Sequence, residues 1–120
     1  MAVKPFTTTF RADGVRVLKW DNITNGDTCS PVTLIGIEGA VGSVQGVGTA
    51  DSASIALQGS NDGTNWVNLT DQNGDAIALD ITSASQAADF STAMLYLRPH
   101  PTGGGGSQDI DPFVCLREGR

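Results

Sequence analysis

Residues 54–71 hold two strand-like runs on either side of a dense turn cluster. In the first run Ile55, Leu57 and Gly59 share one face of an extended chain, and Ala56, Gln58 and Ser60 share the other. In the second, Val67 and Leu69 alternate with Trp66, Asn68 and Thr70. The connecting Asn61-Asp62-Gly63 supplies residues that tolerate positive φ, as a tight hairpin turn requires. A period of two on both sides of such a turn predicts a central β-hairpin.

The remainder of the chain repeats this pattern. Its 120 residues suit one domain with one core, and fifteen glycines and five prolines favour many turns and short strands. Further strands are predicted over residues 15–20, 31–38, 76–81, 93–99 and 109–117. Pro31 is tolerated at a strand's first residue, where a missing N–H matters least. Between residues 39 and 48, Gly39, Gly42, Gly46 and Gly48 space out Val41, Val44 and Val47. Such spacing reads as a strand with close backbone approach or a bulge around residues 43–47. A phosphate-cradling loop needs a helix after it, and no helical pattern follows.

Polar turns are expected at Asn25-Gly26-Asp27 and at Gln72-Asn73-Gly74-Asp75. Residues 82–91 read as a crossing loop with room for one helical turn around Ser85-Gln86-Ala87-Ala88. The glycine-rich residues 102–107 read as a flexible loop, without the Gly-Lys-Ser/Thr ending of a nucleotide-binding loop. Pro99-His100-Pro101 is expected to end the preceding strand. Residues 1–10 carry little periodicity and read either as a frayed terminus or as an arm that docks on a neighbouring subunit. The expected organisation is an extended arm over 1–10 and a single domain over 11–120. The fold class is all-β: an antiparallel β-sandwich or jelly roll of about seven to eight strands with little or no helix.

Seven basic against thirteen acidic residues leave a formal charge of −6, which argues against a nucleic-acid surface. The acids are scattered, as on a solvated surface. The first residues lack the apolar run of a signal peptide, and no stretch approaches the roughly 20 apolar residues of a membrane helix. On that reading the sequons Asn22-Ile23-Thr24 and Asn68-Leu69-Thr70 are chance matches.

Catalytic chemistry is not apparent. His100, the single histidine, stands between two prolines with no sequence hint of a nucleophile or orienting partner. One histidine and the distant Cys29 and Cys115 do not make a zinc set. Asp62 and Asp75 are accounted for by their turns. Asp109 and Asp111 share one strand face and would serve a hard cation only with added loop oxygens. The chain is therefore read as a non-enzyme, with no catalytic, cofactor-binding or metal residue assigned. Trp20 and Trp66 are read as partly buried anchors rather than sugar-stacking platforms.

Ser60-Asn61-Asp62-Gly63-Thr64-Asn65-Trp66 resembles the Asp-box turn of β-propellers, one residue short before the glycine. A similar string occurs in discoidin-like and other carbohydrate-binding sandwiches, where the tryptophan usually packs in the core. Three segments together resemble small phage and prophage virion proteins. They are Trp20-Asp21-Asn22-Ile23-Thr24-Asn25-Gly26-Asp27-Thr28, then Leu57-Gln58-Gly59-Ser60-Asn61-Asp62-Gly63-Thr64-Asn65-Trp66, then Leu97-Arg98-Pro99 followed by Thr102-Gly103-Gly104. The resemblance spans most of the chain in the same order.

That resemblance implies a capsid decoration (cement) protein, or another small head-associated structural protein. A cement protein binds the outside of the major capsid shell as a trimer and stabilises it across subunit seams. The implied partners are the major capsid protein and further copies of the chain, without nucleic acid or membrane. The implied location is the virion exterior after assembly in the host cytoplasm, a setting that argues for free thiols at Cys29 and Cys115 while leaving their pairing open. The contact elements expected are residues 1–10 and the loops over 82–91 and 102–108. The alternative is a carbohydrate-binding sandwich module of a virion fibre or surface protein, which needs Trp20 or Trp66 exposed.

Overall fold

The computed structural model describes residues 2–34, 40–81 and 85–118. Its strands are β1 (Val3–Lys4), β2 (Phe6–Ala12), β3 (Val15–Trp20), β4 (Thr28–Cys29), β5 (Val32–Thr33), β6 (Ala40–Thr49), β7 (Ala53–Ser60), β8 (Val67–Asn68), β9 (Gln86–Thr92), β10 (Tyr96–Gly103) and β11 (Asp109–Glu118). Seven of them run six residues or more, and the other four are two-residue pairings. No helix occurs among the described residues. The chain is all-β.

Two antiparallel sheets face each other. The larger has the order β2-β3-β11-β6-β9 and the smaller β5-β10-β7-β8, while β1 and β4 form a short parallel pair. Alternation along each long strand sends one set of side chains inward. Leu18, Trp20, Val44, Phe90, Ile110, Val114 and Leu116 come from the larger sheet, and Val32, Ile55, Leu57 and Leu97 from the smaller. All are buried in one cluster between the sheets. Burying a side chain of this size contributes about 1.5–3 kcal/mol, so a one-residue slip in any long strand would be costly.

Several expectations hold and several need correction. The central hairpin forms, with Gln58 opposite Asn68 and Gly59 opposite Val67. The glycine-spaced valines form β6, where Gly42 and Gly46 permit close approach of neighbouring atoms. Residues 76–81 do not make a regular strand. They are tied by the isolated bridges of Ile55 to Leu79 and Thr70 to Ala76, yet Ile77, Leu79 and Ile81 are buried on one side as the alternation predicts. Of the strand expected over 31–38 only β5 is present, residues 35–39 lying outside the described residues.

The crossing loop expected over 82–91 is instead largely β9, paired along β6 from Gly46 to Ala40, and no helical turn occurs at residues 85–88. Only Ala88 and Phe90 mark its inward face, too few apolar residues to signal a strand without the partner. β10 likewise runs on through Pro99 and Pro101, opposite Leu57 and Ile55. Its prolines occupy alternate positions, so both missing N–H groups fall on one edge. β5 covers that edge only at Tyr96 and Leu97, and the ladder to β7 stays whole.

Residues 2–10 are not set apart from the sandwich. The β2–β3 hairpin turns at Asp13 and Gly14, both with positive φ (51° and 77°). Phe6 packs its ring 5.4 Å from that of Trp20. Ahead of it, the Thr28 N–H donates to the Ala2 carbonyl and the Ser30 N–H to the Lys4 carbonyl, each at 2.8 Å. The Ala2 N–H donates to Asp27 Oδ1 at 2.9 Å.

Candidate functional site

The outer face of the smaller sheet carries the most organised exposed side-chain cluster. Leu97, Pro99 and Pro101 of β10 point into the core, so Tyr96, Arg98 and His100 point out. Register places Arg98 opposite Gln58, and Gln58 opposite Asn68. Arg98 Nε donates to Gln58 Oε1 at 3.0 Å, and Gln58 Nε2 donates to Asn68 Oδ1 at 3.0 Å. The guanidinium lies over the Trp66 ring, 4.0 Å from its centroid. Stacking and the Nε bond together hold a long, flexible side chain in one orientation.

Among the described residues no carboxylate makes an ion pair with this cation. Among the described residues the ion pairs are Lys4–Asp27 at 3.7 Å and Lys19–Asp21 at 3.0 Å, and Arg98 is in neither. Burial lowers the Arg98 pKa. His100, two residues along the same face, is also lowered, first by burial and then by the Arg98 charge.

Next to this face the Asn61-Asp62-Gly63 turn is a hydrogen-bonded knot. Asp62 Oδ1 accepts from the Thr64 and Asn65 N–H groups at 2.9 and 2.8 Å and from the Ser60 hydroxyl at 2.9 Å. Asn65 Nδ2 donates to Oδ2 at 2.7 Å. Asn61 Oδ1 accepts from the Leu95 N–H at 3.1 Å, which ties the turn to the residue just ahead of β10. Beside it opens a hollow of about 310 Å³ lined by Gly59, Ser60, Val67 and Met94 and by the turn itself. The Asn65 and Thr64 N–H groups, with the two side chains, hold the Asp62 carboxyl far below its ordinary 3.8.

A folded-state value below the unfolded one stabilises the protein above the unfolded value, and that stability is lost as pH falls through the folded value. The wild type should therefore lose urea resistance below pH 3.8. Asp62→Asn should start lower at neutral pH and converge with the wild type in acid. Parallel urea-midpoint profiles from neutral pH down to about 2 would show that the knot contributes no pH-dependent stability.

The other residues singled out in the sequence lie apart from this face or serve the fold. Trp20 is sealed in the core with its indole N–H donating to the Ser30 carbonyl at 3.0 Å. Trp66 is half-buried, one ring face covered by Arg98. Asp111 Oδ1 accepts from the Asn22 N–H at 2.8 Å. The glycine-rich loop is pinned where the Ser107 N–H donates to Asp51 Oδ2 at 2.9 Å. Cys29 and Cys115 are free thiols, and burial pushes the Cys29 thiol up to about 12.

A shallow polar groove of about 270 Å³ brings His100 near Asp27, Thr102 and Gln108. Asp27 there is committed to the Thr24 hydroxyl, two backbone N–H groups and Lys4. No three His, Cys, Asp or Glu side chains gather among the described residues. Sequence reasoning missed the Arg98–Trp66–Gln58 cluster. Its signal was the outward alternation of Tyr96, Arg98 and His100, hidden by the prolines that seemed to end the strand. Comparison with protein-family models and with curated proteins finds no match.

Proposed function

We propose that this chain is a phage capsid decoration protein that self-associates and binds the outside of the major capsid shell across subunit seams. The observation that carries this reading is the outer face of the larger sheet. Water-facing sheet faces are ordinarily polar. Here Phe10 stands opposite Val17, and Val17 opposite Cys115, in one row across three strands. The neighbouring row runs Ala12, Val15, Arg117 and Val41. Phe10 and Val41 are 53% and 44% exposed, and Phe113 lies half-buried on the same face. The same face also carries Lys19, Arg117, Ser43 and Gln45, and the exposed apolar side chains among them support a surface made for contact.

A protein that spreads such contacts over several shell subunits gains from each bond's raising the effective concentration of the next, and a trimer multiplies the gain. The carbohydrate-binding alternative needs an open tryptophan face. A sealed Trp20 and an Arg98-covered Trp66 count against it. Sedimentation tests the proposal: the native protein should run as a trimer and pellet with shells of its phage's major capsid protein. Phe10→Asp with Val41→Asp should give monomers that stay in the supernatant. A monomeric wild type left behind by the shells would overturn the reading. Deleting residues 1–10 is a poor substitute, since it strips Phe6 from Trp20.

A further inference from the structure

We propose that the outer face of the smaller sheet is a carboxylate-recognition site, in which Arg98, stacked on Trp66 and anchored by Gln58, receives an Asp or Glu side chain of a docking polypeptide. The inference concerns a different face from the apolar one and does not depend on the shell reading.

Three observations carry it. First, Arg98 is half-buried and has no counter-charge among the described residues, in a chain of net charge −6. Partial burial of a cation is unfavourable unless something pairs with it. An acid-rich chain offers many carboxylates for that purpose, yet none among the described residues makes an ion pair with Arg98. Second, the guanidinium is oriented in advance. Nε is taken by Gln58 and the ring face by Trp66, while among the described residues no acceptor takes the two Nη groups. Their N–H groups form a fork of the geometry that grips a carboxylate with two parallel hydrogen bonds. Third, Tyr96 and His100 are the neighbouring side chains that β10 sends to this face, and burial lowers the His100 pKa, so Arg98 is the charge that a carboxylate would meet there.

The choice of a polypeptide over an acidic sugar follows from the same contacts. A sugar ring stacks on an open aromatic face and spends many hydrogen bonds on its hydroxyls. Arg98 already covers one face of Trp66, and the Gln58 and Asn68 amides are bonded to Arg98 and to each other. What remains is one strong charged anchor framed by Trp66 and Tyr96, the residue types that dominate protein–protein hot spots.

The test uses the intact protein and two acidic polymers, poly-L-glutamate and polygalacturonate, at low salt. Trp20 is sealed, so a change in tryptophan emission on titration reports Trp66. Poly-L-glutamate should change the emission saturably, and Arg98→Gln should weaken that binding roughly tenfold or more. Arg98→Lys, which keeps the charge but loses the fork, should also weaken it. Arg11→Gln, on the exposed β2 edge, should bind as the wild type does, and the melting temperature of each variant checks its fold. Undiminished binding by Arg98→Gln overturns the proposal. So does a wild type that binds neither polymer, or one that binds polygalacturonate in preference to poly-L-glutamate.

Discussion

Replacing Trp20 with alanine should lower the unfolding free energy by about 3–5 kcal/mol, the usual cost of removing a buried indole. Trp20 has no exposed surface, closes the core at the end of β3 and stacks in a tilted arrangement on Phe6. Its removal opens a cavity that two paired sheets cannot collapse into, and it leaves the Ser30 carbonyl without its donor. Trp20→Phe keeps most of the volume but loses the hydrogen bond, so its cost should be smaller. Urea unfolding of both variants is the measurement. A double-mutant cycle with Phe6→Ala should show a coupling of about 0.5–1.5 kcal/mol, the range for aromatic pairs. Coupling near zero would mean that the first strand rests on Trp20 without stabilising it.

Gly42→Ala should cost about 1–3 kcal/mol or more, although only a methyl group is added. Gly42 lies on β6, with β11 on one side and β9 on the other. A Cβ there would overlap the Cys115 carbonyl oxygen of β11 and come within 3.3 Å of the Phe90 ring. The carbonyl belongs to a ladder strand and cannot turn aside without opening the β6–β11 pairing. Gly46→Ala is the comparison. Its added atom would meet Ile55 Cδ1 at 2.5 Å and Ile81 Cγ2 at 3.2 Å, both side-chain atoms with some room to rotate. Thermal unfolding should rank Gly42→Ala below Gly46→Ala. The reverse order would show that β6 and β11 separate more easily than their long register suggests.

Local signals in this chain were clear where a strand carries its own pattern. Val15, Val17 and Lys19 against Arg16, Leu18 and Trp20 located β3, and the Asn61-Asp62-Gly63 turn located the β7–β8 hairpin. β2 had one marker that went unread, the Asp13-Gly14 dipeptide that suits a two-residue hairpin turn. The polar Thr7-Thr8-Thr9 run hid it, because an edge strand with an exposed face shows no core alternation. β9 had no such marker. Its small polar residues become a strand only because β6 offers a free edge and Phe90 a place in the core.

The candidate site divides in the same way. Trp66 stood out as a residue and Arg98 did not. Trp66 directly precedes β8 and Arg98 lies on β10, far apart in sequence, and nothing local ties a guanidinium to that ring. Alternation, turn chemistry and glycine spacing act over a few neighbours, so the chain by itself determined an all-β fold, the central hairpin and the inward faces of most strands. Strand order, the continuation of β10 through its prolines, the docking of residues 2–10 and the meeting of Arg98 with Trp66 were decided only by the tertiary structure. Each depends on which distant edge or face arrives to supply the missing hydrogen bond or cover, and that is a property of the packed sheets, not of any one segment.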